Sequence, residues 1–328
     1  MIPTYRMNTM IKFLIRCALF LAAVQLCAEE EKHLSNIRQV TFSSMGFEKA
    51  GEGYFSPDEQ LIIFQAVPHG EKHYQMYLMA LDESIPRLVS TGKGSCTCGF
   101  FHPNDEKILF ASSHEAKAAA RGYKWDLTPY MNIYEANRDG SGLQRLTSGP
   151  AYHAECSYSP DGTEILYASN EDGSMNLYIM DRDGSHVRQL TATSGFYNGG
   201  PFFSPDGQHV LFRSDRQQPD MLQLYLIDRD GNNERQLTDN NAVNWAPYWH
   251  PKGSVIAYTT SVHGHHRYEI YLLNIHTGKE CRLTHNDSFD GLPVFNHDGT
   301  KIMWTSQRGE GRRCHLFIAD FTMPESLE

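Results

Sequence analysis

Short apolar runs rich in β-branched and aromatic residues, each five or six long, alternate along this chain with turn-forming Gly, Asp, Asn and Ser, which predicts many brief strands. The pattern repeats. An aromatic residue followed by Ser-Pro-Asp-Gly, or a relative of it, occurs six times: Phe55-Ser56-Pro57-Asp58, Phe101-His102-Pro103-Asn104, Tyr158-Ser159-Pro160-Asp161-Gly162, Phe203-Ser204-Pro205-Asp206-Gly207, Trp249-His250-Pro251-Lys252-Gly253 and Phe295-Asn296-His297-Asp298-Gly299. Counted from Pro to Pro, with His297 in place of the last, the steps are 46, 57, 45, 46 and 46, so the second repeat carries an insertion.

Each repeat spells out a four-stranded unit, most clearly the third: ILYAS at 165–169, NLYIMD at 176–181, the turn Arg182-Asp183-Gly184-Ser185, then VRQLT at 187–191. Asp-Gly between two β-rich runs signals a hairpin, because that turn needs residues that tolerate positive φ. The runs are apolar on both faces, as expected of sheets sandwiched between other sheets. Four strands per repeat of about 45 residues, arrayed around an axis, make a β-propeller. The last repeat ends at LFIADF (316–321) with no copy of the RQLT strand, whereas IRQVT (37–41) stands ahead of the first repeat. Pairing 37–41 with 316–321 removes two open sheet edges and closes a ring of six blades.

The Ser-Pro-Asp-Gly turn, the LYxMDxDG run and the RQLT run resemble the repeat of the TolB-like propeller family over residues 37–321. That resemblance implies an all-β, six-bladed propeller of the kind that binds other proteins in the periplasm. TolB itself has an additional α/β domain ahead of its propeller; here only a leader is expected before Ile37.

Residues 1–28 have the form of an export signal: Arg6, Lys12 and Arg16, an apolar core at 17–26, and Ala28 for cleavage. Cys27 offers a lipoprotein alternative, against which Val24-Gln25-Leu26 lacks the usual small residues. The propeller is then expected over 29–322, with a tail at 323–328, periplasmic or secreted and monomeric. No later segment has the length and hydropathy of a membrane span. Without residues 1–28, 26 basic residues stand against 39 acidic ones, a net charge of −13, which argues against a nucleic-acid partner. Cys96, Cys98, Cys156, Cys281 and Cys314 remain, an odd number that allows at most two disulfides.

In a propeller the loop entering each inner strand and the loop joining the second and third strands open on one face. Seven residues ahead of the motif Pro, the blades offer Ala50, Cys96, His153, Asn198, Asn244 and Asp290; five ahead, Glu52, Cys98, Glu155, Gly200, Ala246 and Leu292. A strand's period of two predicts both sets on the axial channel. Glu52, His153, Glu155 and Asp290 can there act as acid, base or metal ligands, or simply hold channel water. Cys96-Thr97-Cys98 beside His153 and Cys156 suits a soft metal, a strained disulfide or free thiols.

The second-to-third-strand loops add His69, His73, His114, Tyr123-Lys124-Trp125-Asp126, Arg213, Arg216, His263-Gly264-His265-His266 and Arg308. His263 and His265 have the spacing of a metal pair, although surface histidines in a loop are the commoner case. A distant resemblance to oligogalacturonate lyases, propellers with seven blades that hold manganese, implies the same chemistry; their ligand set does not map position by position. The Asp-Arg-Asp-Gly turns at 181–184 and 228–231 lack the later ligands of calcium loops. Phe202, Phe203, Tyr248, Trp249 and Phe295 are expected in interblade packing, and Trp125 or Trp245 as a carbohydrate platform. No Gly-x-Ser-x-Gly elbow, P-loop or dinucleotide fingerprint is present.

Two functions follow. One is a binding or scaffold protein holding an envelope protein, a peptide or a glycan through Glu52, Trp125, Asn198, Arg213, Asn244 and Asp290. The other is a metal-assisted polysaccharide lyase or hydrolase, with His153 or Glu155 as base, His263 and His265 as ligands, and Arg213 neutralising a substrate carboxylate. No cofactor is expected for the first; the second needs a divalent metal.

Overall fold

The computed structural model describes residues 29–83, 85–104, 106–116 and 127–328. The leader expected at 1–28, with Cys17 and Cys27, and the stretch Tyr123 to Asp126 that includes Trp125, lie outside the described residues. Six four-stranded antiparallel sheets are arranged as a six-bladed propeller, the architecture expected from the repeats. The inner strands are Phe47–Phe55, Cys96–Phe101, His153–Tyr158, Asn198–Phe203, Asn244–Trp249 and Asp290–Phe295. They meet one another around the axis.

The recurring turn residues explain why the same unit forms each time. Ser56 Oγ donates to Asp58 Oδ1 (2.6 Å) and accepts from the Leu61 N–H (2.9 Å), which locks the chain between first and second strands. Ser159 and Ser204 do the same for Glu164 and His209. His102 and His250 take the serine's place in blades two and five, and reach the carbonyls of Gly162 and Gly299 in the following blades at 3.2 and 3.3 Å. A Cβ at Gly162 would run into the His102 ring, so that interblade contact depends on glycine.

A hydroxyl closes each blade. Ser90, Thr147, Thr191, Thr238 and Thr284, beside the fourth strands, accept from the N–H of Met76, Ile133, Leu177, Leu224 and Ile270 at 2.8–3.0 Å. In the sixth blade Thr41 plays this part for Leu316 (2.9 Å). The N-terminal strand Leu34–Gln39 pairs antiparallel with His315–Phe321, matching Leu34 with Phe321 and Gln39 with Phe317. Ring closure therefore joins the two elements expected from the sequence, with the strand starting three residues earlier. The tail also docks, Leu327 being buried and its carbonyl accepting from Asn274 Nδ2 (3.0 Å).

One feature of every inner strand departs from the sequence-based expectation. Glu52, Cys98, Glu155, Gly200, Ala246 and Leu292 all have φ between 45° and 58°, in the left-handed region. At each of them the register with the second strand slips by one residue, a β-bulge. A one-residue slip reverses the faces of a strand, so the two sets of positions expected together on the channel are separated, Ala50 of the first set excepted. The bulge residues line the channel; Cys96, His153, Asn198, Asn244 and Asp290 are wholly buried off it. Because the bulge recurs in all six blades, it belongs to the architecture and does not mark Glu52 or Glu155 as specially strained.

Candidate functional site

The axis holds a cavity of about 480 Å³ whose wall includes all six bulge residues. Its floor is aromatic. Tyr54, Phe202 and Tyr248, which line it, converge with Phe100, each three residues ahead of the motif Pro or its equivalent, with ring centroids 5.0–6.2 Å apart. Phe202 and Tyr248 thus sit on the axis, whereas Phe203, Trp249 and Phe295 pack in interblade clusters as expected. Trp245, Tyr268 and Phe289 form a second aromatic group in the wall, at 5.9–6.3 Å.

Set into this apolar wall is a polar cluster from blades three and four. Glu155 accepts from the Tyr197 hydroxyl at 2.7 and 2.9 Å, from the Gly200 N–H, and from Arg213 Nη2 at 3.3 Å. Arg213 also donates to the Tyr197 oxygen (2.8 Å). Burial opposes the charge on Arg213, but Tyr197 and Glu155 outweigh it and hold the guanidinium cationic. Burial raises the Tyr197 pKa well above that of a free phenol, so it stays a donor. Side chains at Gly199 and Gly200 would occupy the places of Tyr197, Glu155 and Arg213. The Gly199-Gly200 pair is the sequence signal for this cluster. Tyr197, which sequence reasoning missed, has its own signal in the tyrosines that stand eight residues ahead of the motif Pro in blades three and four, Tyr152 and Tyr197.

Glu52 faces the same cavity from blade one. It receives the Tyr54 hydroxyl at 3.3 Å, while its own N–H donates to Thr305 Oγ1 at 3.0 Å. Burial pushes its pKa up to about 7; the nearby Glu155 adds to the rise and Arg213 opposes it. Since a free carboxyl titrates near 4.5, the folded state holds a proton that the unfolded chain releases across the intervening range. Stability is therefore lost as pH rises through that range. Glu52→Gln, which cannot ionise, is expected to raise stability by roughly 2–3 kcal/mol at pH 8 and by less than about 1 kcal/mol at pH 5. Denaturant unfolding at the two pH values checks this; equal gains at both would rule it out.

The remaining expected site residues go elsewhere. His153 is buried behind the cavity, and burial lowers its pKa, so it is a neutral core imidazole and not a base facing the channel. Asn198 donates to the Met175 carbonyl (3.0 Å) and to Asn176 Oδ1 (3.1 Å) of blade three; Asn244 donates to Gln223 Oε1 (2.9 Å) of blade four. Both staple neighbouring blades. Asp290 accepts from Arg308 Nη2 (2.8 Å) and Trp304 Nε1 (2.9 Å), and Arg308 also pairs with Glu30 (2.8 Å). Arg216 pairs with Glu234 and Asn198. Of the three arginines expected in loops, Arg213 alone lines the cavity, and it does so from within the strand His209–Ser214.

Cys96 and Cys98 are parted by the bulge: Cys96 is buried against Ser112 Oγ (3.1 Å), and Cys98 lines the cavity as a thiol whose pKa burial raises well above normal. All five described cysteines are free thiols. His263 and His265 are exposed, bonded to the hydroxyls of Tyr271 (2.9 Å) and Tyr268 (3.2 Å) respectively. Among the described residues no group of three or more His, Cys, Asp or Glu is placed to hold a metal ion. Nor, among them, is any helix long and apolar enough to cross a membrane.

A family model described as the dipeptidyl peptidase IV (DPP IV) N-terminal region matches residues 54–246. Among curated proteins, the Tol-Pal system protein TolB of Alcanivorax borkumensis is 30% identical over 91 residues, 28% of this chain and 21% of that protein. The chain thus matches about a fifth of the length of that relative. The structure of putative TolB from Agrobacterium tumefaciens superposes with a TM-score of 0.61 at 20% identity, over 88% of this chain and 97% of that one. Oligogalacturonate lyase from Vibrio parahaemolyticus superposes with a TM-score of 0.58 at 13% identity, over 84% and 78%. At such identities these two share the fold.

Proposed function

Since this chain belongs to the family of the dipeptidyl peptidase IV (DPP IV) N-terminal region, whose model covers more than half of it, we propose that it is an exported binding propeller. It acts in the periplasm or outside the cell and holds a protein, peptide or glycan at the face where the axial cavity opens. The observation that carries this reading is the cavity itself, aromatic on its floor and in its wall, with one ion pair and one further carboxyl. Such a mixture of apolar area and a few placed polar groups is what ligand sites use. The rim adds Tyr130 and Phe196, which are exposed on loops of that face. The Tol-Pal relative and the TolB fold neighbour support a protein ligand.

Photo-crosslinkers at Tyr130 and Phe196, compared with one at Asp183 in the hairpin on the opposite face, test the reading. Crosslinks to a defined partner through the two rim positions are expected, with Asp183 silent. Equal labelling from Asp183, or none from the rim, would overturn it. A second reading, a lyase or hydrolase of acidic polysaccharide, draws on the fold shared with oligogalacturonate lyase and on Arg213 beside Glu155 in the cavity. It keeps Glu155 as base and gives up His153. Turnover of uronate oligomers, lost in Glu155→Gln, is the result it requires.

A further inference from the structure

We propose that the axial cavity is a receptor for an alkylammonium group, with Glu52 as its counter-ion and the aromatic floor as its seat. The inference rests on the binding reading above and specifies its ligand. Among the described residues, three charged side chains line the cavity: Glu52, Glu155 and Arg213. Two are already matched. Arg213 lies 3.3 Å from Glu155, Tyr197 bridges them, and the Gly200 N–H completes the carboxylate's shell, so this pair has little to offer a ligand ion. Glu52 is the surplus acid of the described lining, with neutral side-chain partners only, the Tyr54 hydroxyl at 3.3 Å and the Cys98 thiol.

An anion entering the cavity would meet two carboxyls against one guanidinium already engaged. A divalent metal would need several ligands together, and among the described residues no group of three or more His, Cys, Asp or Glu is placed to hold one, whereas Tyr54, Phe202 and Tyr248 line the same cavity. Aromatic faces attract a cation through the ring quadrupole and tolerate alkyl groups, which favours an ammonium on an apolar stem. The cavity's volume of about 480 Å³ admits a lysine side chain or a small free amine.

Proton linkage follows from the same geometry. Among the described residues, Glu155, Arg213, Tyr54 and Cys98 are the titratable groups facing Glu52, and burial together with Glu155 keeps it protonated up to about pH 7. A bound ammonium stabilises the carboxylate, so binding releases a proton, and affinity falls roughly tenfold from pH 8 to pH 6.

Calorimetry on the full chain with butylammonium chloride and with N-acetyl-lysine methylamide tests the proposal, with butyrate and butanol as controls. Both cations are expected to bind at pH 8 and neither control should; at pH 7, where about half of Glu52 is protonated, the binding enthalpy should vary with the buffer's heat of ionisation. Glu52→Gln should weaken cation binding at least tenfold while keeping a cooperative unfolding transition, and Glu52→Asp should retain part of it. Lysine derivative bound at least tenfold tighter than butylammonium indicates a lysine of a partner chain; equal binding indicates a free amine, and either supports the site. No cation binding at pH 8, or binding unchanged by Glu52→Gln, overturns the proposal. In that case rim crosslinking at Tyr130 and Phe196 still decides the binding reading separately.

Discussion

A chain that starts at residue 42, and so lacks the strand Leu34–Gln39 with Val40 and Thr41, is expected to melt roughly 10 °C lower and to self-associate. Leu34 and Val40 are buried, at roughly 1.5–3 kcal/mol each. The strand's ladder to His315–Phe321, the Val40 N–H to the Leu316 carbonyl (2.8 Å) and the Thr41 hydroxyl on Leu316 would all be lost. Together these are worth on the order of 5 kcal/mol, and a protein of this size loses a few degrees per kcal/mol. The bared edge of His315–Phe321 would offer unpaired N–H and C=O groups to another molecule. Adding the peptide of residues 34–41 in trans should restore both the melting point and the monomer. Differential scanning calorimetry and size-exclusion chromatography read the outcome; an unchanged midpoint with monomeric elution would refute the closure argument.

Arg213→Met is expected to cost about 3–5 kcal/mol at pH 8, because it strands Glu155 in the apolar wall without its cation. The Arg213 and Glu155 side chains are 8% and 14% exposed, so solvent gives the carboxylate little relief. The double variant Arg213→Met with Glu155→Gln should recover most of that loss, since no charge is then left unpaired. Urea titrations across this mutant cycle measure the coupling. A loss below about 1 kcal/mol, or strict additivity of the two changes, would show the pair to be incidental.

Much of this molecule is readable from residues adjacent in the chain. The Ser-Pro-Asp turns need a hydroxyl and a carboxylate two residues apart, and that chemistry is visible in the sequence wherever it occurs. The RQLT run is equally local, which is why IRQVT at 37–41 could be matched to the strand missing from the last repeat and the ring of six blades closed. Glu52, Glu155 and Arg213 were also expected at the channel, and they line it. The expectation failed at His153, Asn198, Asn244 and Asp290 for one reason: it assumed unbroken alternation through a strand that bulges. Glu, Cys, Glu, Gly, Ala and Leu occupy the bulge, a set with no shared composition, so nothing in the residues announced it.

The order of repeats, the turn chemistry, the six blades and the pairing of first strand with last were settled by the amino-acid sequence alone, because each rests on patterns a few residues wide. Which polar side chains face the axis was decided only in the folded ring. There a left-handed residue in every inner strand turns one set of side chains inward and the other into the blades. The ring also brings Arg213 to Glu155 across 58 positions and Tyr197 across 42, leaving Glu52 as the surplus acid of the cavity. Such pairings depend on where sheets pack, and packing is a property of the whole chain.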